Sequence, residues 1–295
     1  MKIAVIDIGS NSVRIAIFAD GTVVLRNKIT TRLGEGLYAD NLLKPEPVMR
    51  TVRALKVLYE KALLSGVDKE NFFAFATAAV RNSHNGQVFL DEVKNSVNLP
   101  IDVLSGETEA EIALLGALDG KDGAVVDIGG ASTELIVCRN GKREYVKSVK
   151  TGAVILHDVC GEDRKLCEEY VEKKLSEFDQ NLKLDNLVAI GGTSSACAFL
   201  QTKLDVFDRE KTDGLYISVS DLESITEKLF SLTLQQRIKL LKLEEKRAEI
   251  ICGGSLILLK LLQRYGLEGV TVSEQDNLEG YYRLLRRKTN GKKVL

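Results

Sequence analysis

Two stretches of the chain share one pattern of apolar and polar positions. Ala124-Val125-Val126 runs into Asp127-Ile128-Gly129-Gly130-Ala131-Ser132-Thr133-Glu134, and Leu135-Ile136-Val137 leaves it. Upstream, Ile3-Ala4-Val5-Ile6 runs into Asp7-Ile8-Gly9-Ser10-Asn11-Ser12-Val13-Arg14, and Ile15-Ala16-Ile17 follows. Apolar runs of this length around a glycine turn predict strand, tight turn, strand. In register, Asp7 matches Asp127, Gly9 matches Gly129, Ser12 matches Ser132, and Arg14 stands where Glu134 does. The distance between the copies is too long for a solenoid and predicts two related domains, each opening on such a hairpin.

The pattern continues in parallel. Strands are predicted at Lys2–Asp7, Val13–Ala19 and Thr22–Thr31, and again at Gly123–Ile128, Thr133–Arg139 and Lys142–Thr151. Asp20-Gly21 and Asn140-Gly141 are favoured two-residue hairpin turns. Helical spacing covers Pro45–Leu64, Gln87–Ser96 and a stretch from Ser105 to about Leu118. Short strands are predicted at Asn71–Ala76 and Pro100–Leu104. A Lys- and Glu-rich helical region covers about Val154–Leu182. Leu187–Ile190 is a strand ending at Gly191-Gly192-Thr193, with a helix from Ala196. Helices are then predicted from about Leu222, at Thr233–Leu241, at Lys246–Tyr265 with an interruption at Cys252-Gly253-Gly254-Ser255, and at Glu274–Arg286. Gly269–Val272 is a strand.

Glycine lets each hairpin turn tightly, so that its N–H groups converge on an anion such as phosphate. Asp127 and Glu134 at the rims would repel a bare phosphate, but they suit a divalent cation such as Mg²⁺ between them and the phosphate oxygens. In a mechanism of that kind Asp7 would be a water-mediated partner for the ion. The turn at Gly191-Gly192-Thr193, before a helix, offers a further phosphate contact through helix N–H groups, though close backbone packing explains it as well. Glu109 shares a helix face with Ile112, Ala113 and Gly116. A carboxylate on so tight a face suits a catalytic base, but spacing alone equally allows a residue that merely favours the helix start. Arg81, read with Thr77 as a helix cap, is by pattern alone a surface arginine.

Composition excludes several classes. Lys and Arg total 41 against 42 Asp and Glu, so no global field draws nucleic acid or a membrane surface. No apolar run nears the ~18 residues of a membrane span, and the first strand, with Asp7, is no secretory signal. Five cysteines without a C-x-x-C pair fit free thiols in a reducing cytoplasm. Two histidines exclude a multi-histidine metal centre.

In order, IDIGSNSVR, RLGEGL at Arg32–Leu37, ATAAVR ending at Arg81, SGETEAE from Ser105, VDIGGASTEL, GGTSS from Gly191, RAEIICGGSLIL from Arg247 and VSEQDNLEG resemble the exopolyphosphatase and guanosine pentaphosphate phosphohydrolase (Ppx/GppA) family over almost the whole chain. The resemblance implies an α/β, two-domain actin-like fold of five-stranded mixed sheets, with substrate in the interdomain cleft. Domain I would be 1–120, completed by the C-terminal segment 274–295, and domain II 121–273. It implies Glu109 as the base activating water and Arg81 as a phosphate contact. Gly9, Ser10, Asn11 and Ser12, with Gly129, Gly130, Ala131 and Ser132, would bind phosphate, and Asp127 and Glu134 would hold the metal. The implied activity is release of terminal phosphate from inorganic polyphosphate. The alternatives are guanosine pentaphosphate hydrolysis, polyphosphate:ADP phosphotransfer, and guanosine tetraphosphate binding without turnover. A homodimer is consistent with the family. Two departures stand out. Ala131 occupies a position usually held by glycine, at a cost of roughly 1–2 kcal/mol if its backbone is left-handed. No histidine–aspartate-type helical domain follows, so long, processive polyphosphate binding is not expected.

Overall fold

The structure is a computed structural model describing residues 1–242 and 245–289. The basic end, 287–293, reads from sequence as a solvated, frayed tail, but the closing helix continues through Arg287 to Thr289. From Asn290 onward, the 290–295 part of the closing segment lies outside the described residues. The chain divides into two compact units, Met1–Glu109 and Ala110–Leu295. That division falls inside one helix, whereas the boundary expected from the sequence lies between residues 120 and 121.

Among its described residues the first unit holds a five-stranded sheet in the order β3-β2-β1-β4-β5. Its strands are β1 (Lys2–Ile8), β2 (Ser12–Ala19), β3 (Thr22–Thr30), β4 (Phe72–Ala76) and β5 (Ile101–Val103). Its helices are α1 (Leu37–Asp40), α2 (Pro45–Leu64), α3 (Ala78–Arg81), α4 (Gly86–Val97) and the start of α5 (Gly106–Leu118). β1 lies between β2, antiparallel to it, and β4, parallel to it. Both faces of β1 are covered, which is why Ile3–Ile8 is buried throughout and Ile3 to Ile6 read as an unbroken apolar run rather than an alternating one.

The second unit repeats the opening. Its strands are β6 (Gly123–Ile128), β7 (Thr133–Arg139), β8 (Lys142–Val149), β9 (Leu187–Ile190), β10 (Tyr216–Ser218) and β11 (Gly269–Val272). Its helices are α6 (Ala153–Cys160), α7 (Arg164–Leu175), α8 (Gly191–Thr202), α9 (Arg209–Thr212), α10 (Val219–Ser231), α11 (Leu234–Leu241), α12 (Glu245–Ala248), α13 (Ile251–Arg264) and α14 (Asn277–Thr289). Among the described residues this sheet has six strands, in the order β10-β11-β9-β6-β7-β8, not five. The extra strand, β10, pairs antiparallel at the edge of β11.

The duplication is repeated in register. Asp7 faces Arg14 across β1–β2 as Asp127 faces Glu134 across β6–β7. A bulge falls at Ile17/Phe18 in one unit and at Val137/Cys138 in the other. Asp20-Gly21 and Asn140-Gly141 both have positive φ at both residues, as a type I′ turn requires.

The Lys- and Glu-rich region is two helices, broken at Gly161 (φ 57°), with Asp163 capping α7 by accepting from the Leu166 N–H. α13 runs unbroken through Cys252–Ser255. There a Cβ on Gly253 would lie 3.1 Å from Leu156 and one on Gly254 2.6 Å from Thr193 Oγ1, so the glycines admit neighbours rather than end the helix. α11 starts on a capping box between Thr233 and Gln236. Thr233→Ala is expected to lower unfolding stability by about 1 kcal/mol, read as a reduced urea midpoint at unchanged m-value. Among the described residues no helix is long and apolar enough to cross a membrane.

Candidate active site

In the first unit, Gly9 to Ser12 form a four-residue hairpin closed by Gly9 N–H donating to Ser12 C=O at 3.0 Å. Residues 31–34 wrap this turn. The Thr31 and Arg32 N–H groups donate to Asn11 C=O, and the Gly34 N–H donates to Ser10 C=O at 2.8 Å. The peptide bonds are all trans among the described residues. In a trans peptide, N–H points opposite to C=O. With the Ser10 and Asn11 carbonyls drawn toward residues 31–34, the Asn11 and Ser12 N–H groups point the other way. Gly9 spends its own N–H inside the turn.

The second hairpin uses the same closure, Gly129 N–H to Ser132 C=O at 3.0 Å, and a different brace. The first N–H groups of α6 supply it: Ala153 donates to Gly129 C=O, and Val154 and Ile155 donate to Gly130 C=O. Gly152 lets that helix approach, since a Cβ there would lie 2.6 Å from Gly129 O. By the same peptide argument, the Gly130 and Ala131 N–H groups point away from α6. Gly129, Gly130 and Ala131 all lack a positive φ. The glycines therefore do not serve conformations closed to other residues, and Ala131 carries no left-handed strain. At Gly129 the matter is one of space, because its Cβ would come within 3.3 Å of Ser132 O, a tight contact that the turn would have to relax to admit.

Glu109 and Arg81 meet in the first unit. Arg81 Nη1 lies 2.6 Å from Glu109 Oε2 and also donates to Leu104 C=O at 2.9 Å. Glu109 is only 5% exposed, and burial pushes its carboxyl above the usual range, opposed by the Arg81 charge. The nearby Asp7 carboxylate pushes it the same way as burial, and a hydrogen bond from Thr77 opposes. Thr77 was read from sequence as a helix cap. It makes no side-chain cap bond, and its hydroxyl serves Glu109 instead. Arg81 falls in the last turn of the four-residue α3, where a cation suits the helix dipole, rather than opposing it in a first turn. Asp7 is paired with Arg14, whose Nε donates to its Oδ2 at 2.9 Å and whose Nη2 reaches the same oxygen.

In the second unit Asp127 and Glu134 are cross-strand partners and so share one face of the sheet. Both are buried. Ser148 Oγ donates to Glu134 Oε1 at 2.6 Å, and Asn277 Nδ2 donates to Asp127 Oδ2 at 3.0 Å. Helix α8 begins at Gly191 itself rather than after the glycines. A Cβ on Gly191 would come within 2.9 Å of Asp127 Oδ1, and one on Gly192 within 2.9 Å of Arg247 Nη2. Thr193 is buried beside Gly254. The first N–H groups of α8 have no intrahelical acceptor.

A divalent cation fits the second pair. Two carboxylates on one sheet face supply the hard oxygen donors Mg²⁺ takes, with phosphate and water completing its shell. The equivalent pair in the first unit, Asp7 with Arg14, already balances its own charge. Among the described residues no group of three His, Cys, Asp or Glu side chains is arranged to hold a metal, so no third such side chain joins Asp127 and Glu134. The sequence reading missed Thr77, Asn277 and the 31–34 brace as site components. All three act through contacts distant along the chain, which periodicity does not carry.

The family of Ppx/GppA phosphatases matches residues 10–284. The bifunctional 3-dehydroquinate synthase/phosphatase of Fusobacterium nucleatum is 29% identical over 94% of this chain and 45% of its own, so the present chain spans less than half of that relative. Exopolyphosphatase 2 of Mycobacterium tuberculosis is 29% identical over 95% of this chain and 97% of its own. The crystal structure of the Aquifex aeolicus Ppx/GppA family member superposes with a TM-score of 0.78, at 29% identity, over 98% of this chain and 99% of that one. Two α/β units are built on duplicated hairpins, and the chain belongs to the Ppx/GppA phosphatase family.

Proposed function

We propose that this protein is a phosphoanhydride hydrolase that releases terminal phosphate from inorganic polyphosphate, in the reducing environment that five unpaired buried thiols suit. The observation that carries the reading is the buried Glu109 carboxylate, raised by burial and held by Arg81 at 2.6 Å. A carboxylate moved up toward neutral pH is a better base for water than an ordinary one. Glu109 takes a proton from water as the water oxygen bonds to the terminal phosphorus. The bridging P–O bond breaks, and the shortened chain leaves with its electron pair. Arg81 spends Nη1 on Glu109 and Leu104, and its remaining N–H donors serve the phosphoryl oxygens. In the first unit the Asn11 and Ser12 N–H groups, and in the second the Gly130 and Ala131 N–H groups and the first turn of α8, each offer phosphate fixed dipoles, already oriented before reaction. Asp127 and Glu134 would hold Mg²⁺, which would supply positive charge against the developing negative charge of the phosphate.

The test is a product assay on polyphosphate and, in parallel, on guanosine pentaphosphate. The expected result is orthophosphate from polyphosphate with the higher kcat/KM, falling at least about 100-fold on chelation of divalent ions, several kcal/mol of charge stabilisation being removed. A higher kcat/KM on guanosine pentaphosphate would overturn the substrate. ATP formed from ADP and polyphosphate, or guanosine tetraphosphate bound without turnover, would overturn the reaction.

A further inference from the structure

We propose that Asn277 is a positioning residue for the cation site at Asp127 and Glu134. The inference rests on the reading that those two carboxylates hold a divalent cation. Asn277 opens α14 and is 3% exposed. Its contact with Asp127 spans 150 residues of sequence and buries an amide against a carboxylate. An ionised carboxylate only accepts hydrogen bonds, so the amide must present its nitrogen to Asp127. Its oxygen therefore faces elsewhere. That oxygen, Asn277 Oδ1, is buried and meets no donor within the protein. An unsatisfied buried acceptor costs about 1–3 kcal/mol, and such atoms in native proteins mark an ion, an ordered water or a function.

The second oxygen of Asp127 is confined as well. Oδ1 lies where a Cβ on Gly191 would come within 2.9 Å, and Gly191 has φ +87°, so this position excludes a side chain twice over. An amide thus holds one oxygen of Asp127, and the Gly191 backbone lies close to the other. Ser148 does the corresponding work for Glu134. Metal-binding carboxylates are commonly oriented by such partners. Mg²⁺ keeps several of its waters when bound by one or two carboxylates. A water of that shell has the hydrogen that Asn277 Oδ1 lacks. One amide then does two things: its nitrogen aims Asp127, and its oxygen accepts from the hydrated ion.

The probe is Mn²⁺, with free ion counted by electron paramagnetic resonance against the full-length protein. Asn277→Ala is expected to weaken the Mn²⁺ Kd by about 10–100-fold, and Asp127→Asn to weaken it at least as much. The double variant is expected to bind no more weakly than Asp127→Asn alone. Asn277→Leu, near in size and without polar atoms, gives the same comparison should the alanine variant fail to fold. A Kd within twofold of the parent, with only the metal-free Tm changed, would make Asn277 purely structural and overturn the proposal. Asp127→Asn with unchanged Mn²⁺ binding would instead overturn the cation reading beneath it.

Discussion

Glu109→Gln is expected to lower kcat for phosphate release by about 10²–10⁴-fold, the usual size of a general-base contribution, with KM little changed. The substitution keeps shape and an oxygen for Arg81 Nη1, so loss of the proton acceptor is the main change. A loss under about tenfold would remove Glu109 from that role. The parent enzyme's pH profile checks the same residue independently. Burial raises the Glu109 pKa in the folded protein above its ordinary 4.5. The base is the ionised form, so activity falls as pH drops through the raised value, and the Gln variant lacks this acidic limb. The stability consequence has the opposite sense. A group with a raised folded pKa contributes stability that is fully present below its unfolded pKa and is lost as pH rises through the folded one. Ionised Glu109 is therefore a burden on the fold at neutral pH, and Glu109→Gln is expected to unfold no more easily there. Kinetic collapse without a fall in Tm is the signature.

Gly280→Ala is expected to be the most destabilising single methyl addition in the second unit. α14 and α5 cross at bare backbone. A Cβ on Gly280 would sit 1.7 Å from Ile112 O, and one on Gly116 would sit 2.1 Å from Asp276 O. Neither obstacle is a flexible side chain, so the helices must separate. Overpacking of this kind costs typically about 1–3 kcal/mol and occasionally more, and Gly280 stands at the upper end because the clash is with main chain. Arg283 adds to the loss, because it donates to the Leu115 and Gly116 carbonyls only while the crossing is close. A Tm fall of roughly 5–10 °C is expected. Gly141→Ala is the control. It has φ +67° and nothing within 4 Å, so it bears only left-handed strain of about 1–2 kcal/mol. Equal losses in the two variants would show that the crossing tolerates a methyl.

What the sequence made legible were features with local causes. The paired hairpins, the I′ turns at Asp20 and Asn140, and the ends of α2 are written in glycine, proline and apolar runs. Three residues of Tyr216-Ile217-Ser218 carry too little alternation to announce β10, and its pairing with β11 is a tertiary fact. Gly253 and Gly254 looked like a break because glycine lowers helix propensity. Close packing against Leu156 and Thr193 outweighs that preference. In the site, Glu109 drew notice through its unusual helix face, but Thr77 and Asn277 did not as site residues. Thr77 had a plausible local role as a cap, and only folding gives it another. Asn277 sits in a polar run, Ser273 to Asn277, where nothing local separates it from a solvated turn. Its burial against Asp127 depends on where α14 starts relative to β6.

One helix belongs to both units. The division after Glu109 leaves only the first turn of α5 with the N-terminal half, while Ala110, Ala113 and Leu114 pack with Val125, Ile136 and Ile190 in the other. A recombinant fragment stopping at the division would end on a stub too short to nucleate a helix, with its carboxylate on fraying backbone. One extended to Leu118 would carry an oily stripe into solvent and self-associate. Split-protein reassembly or modular swapping between relatives therefore has to place its junction beyond Leu118.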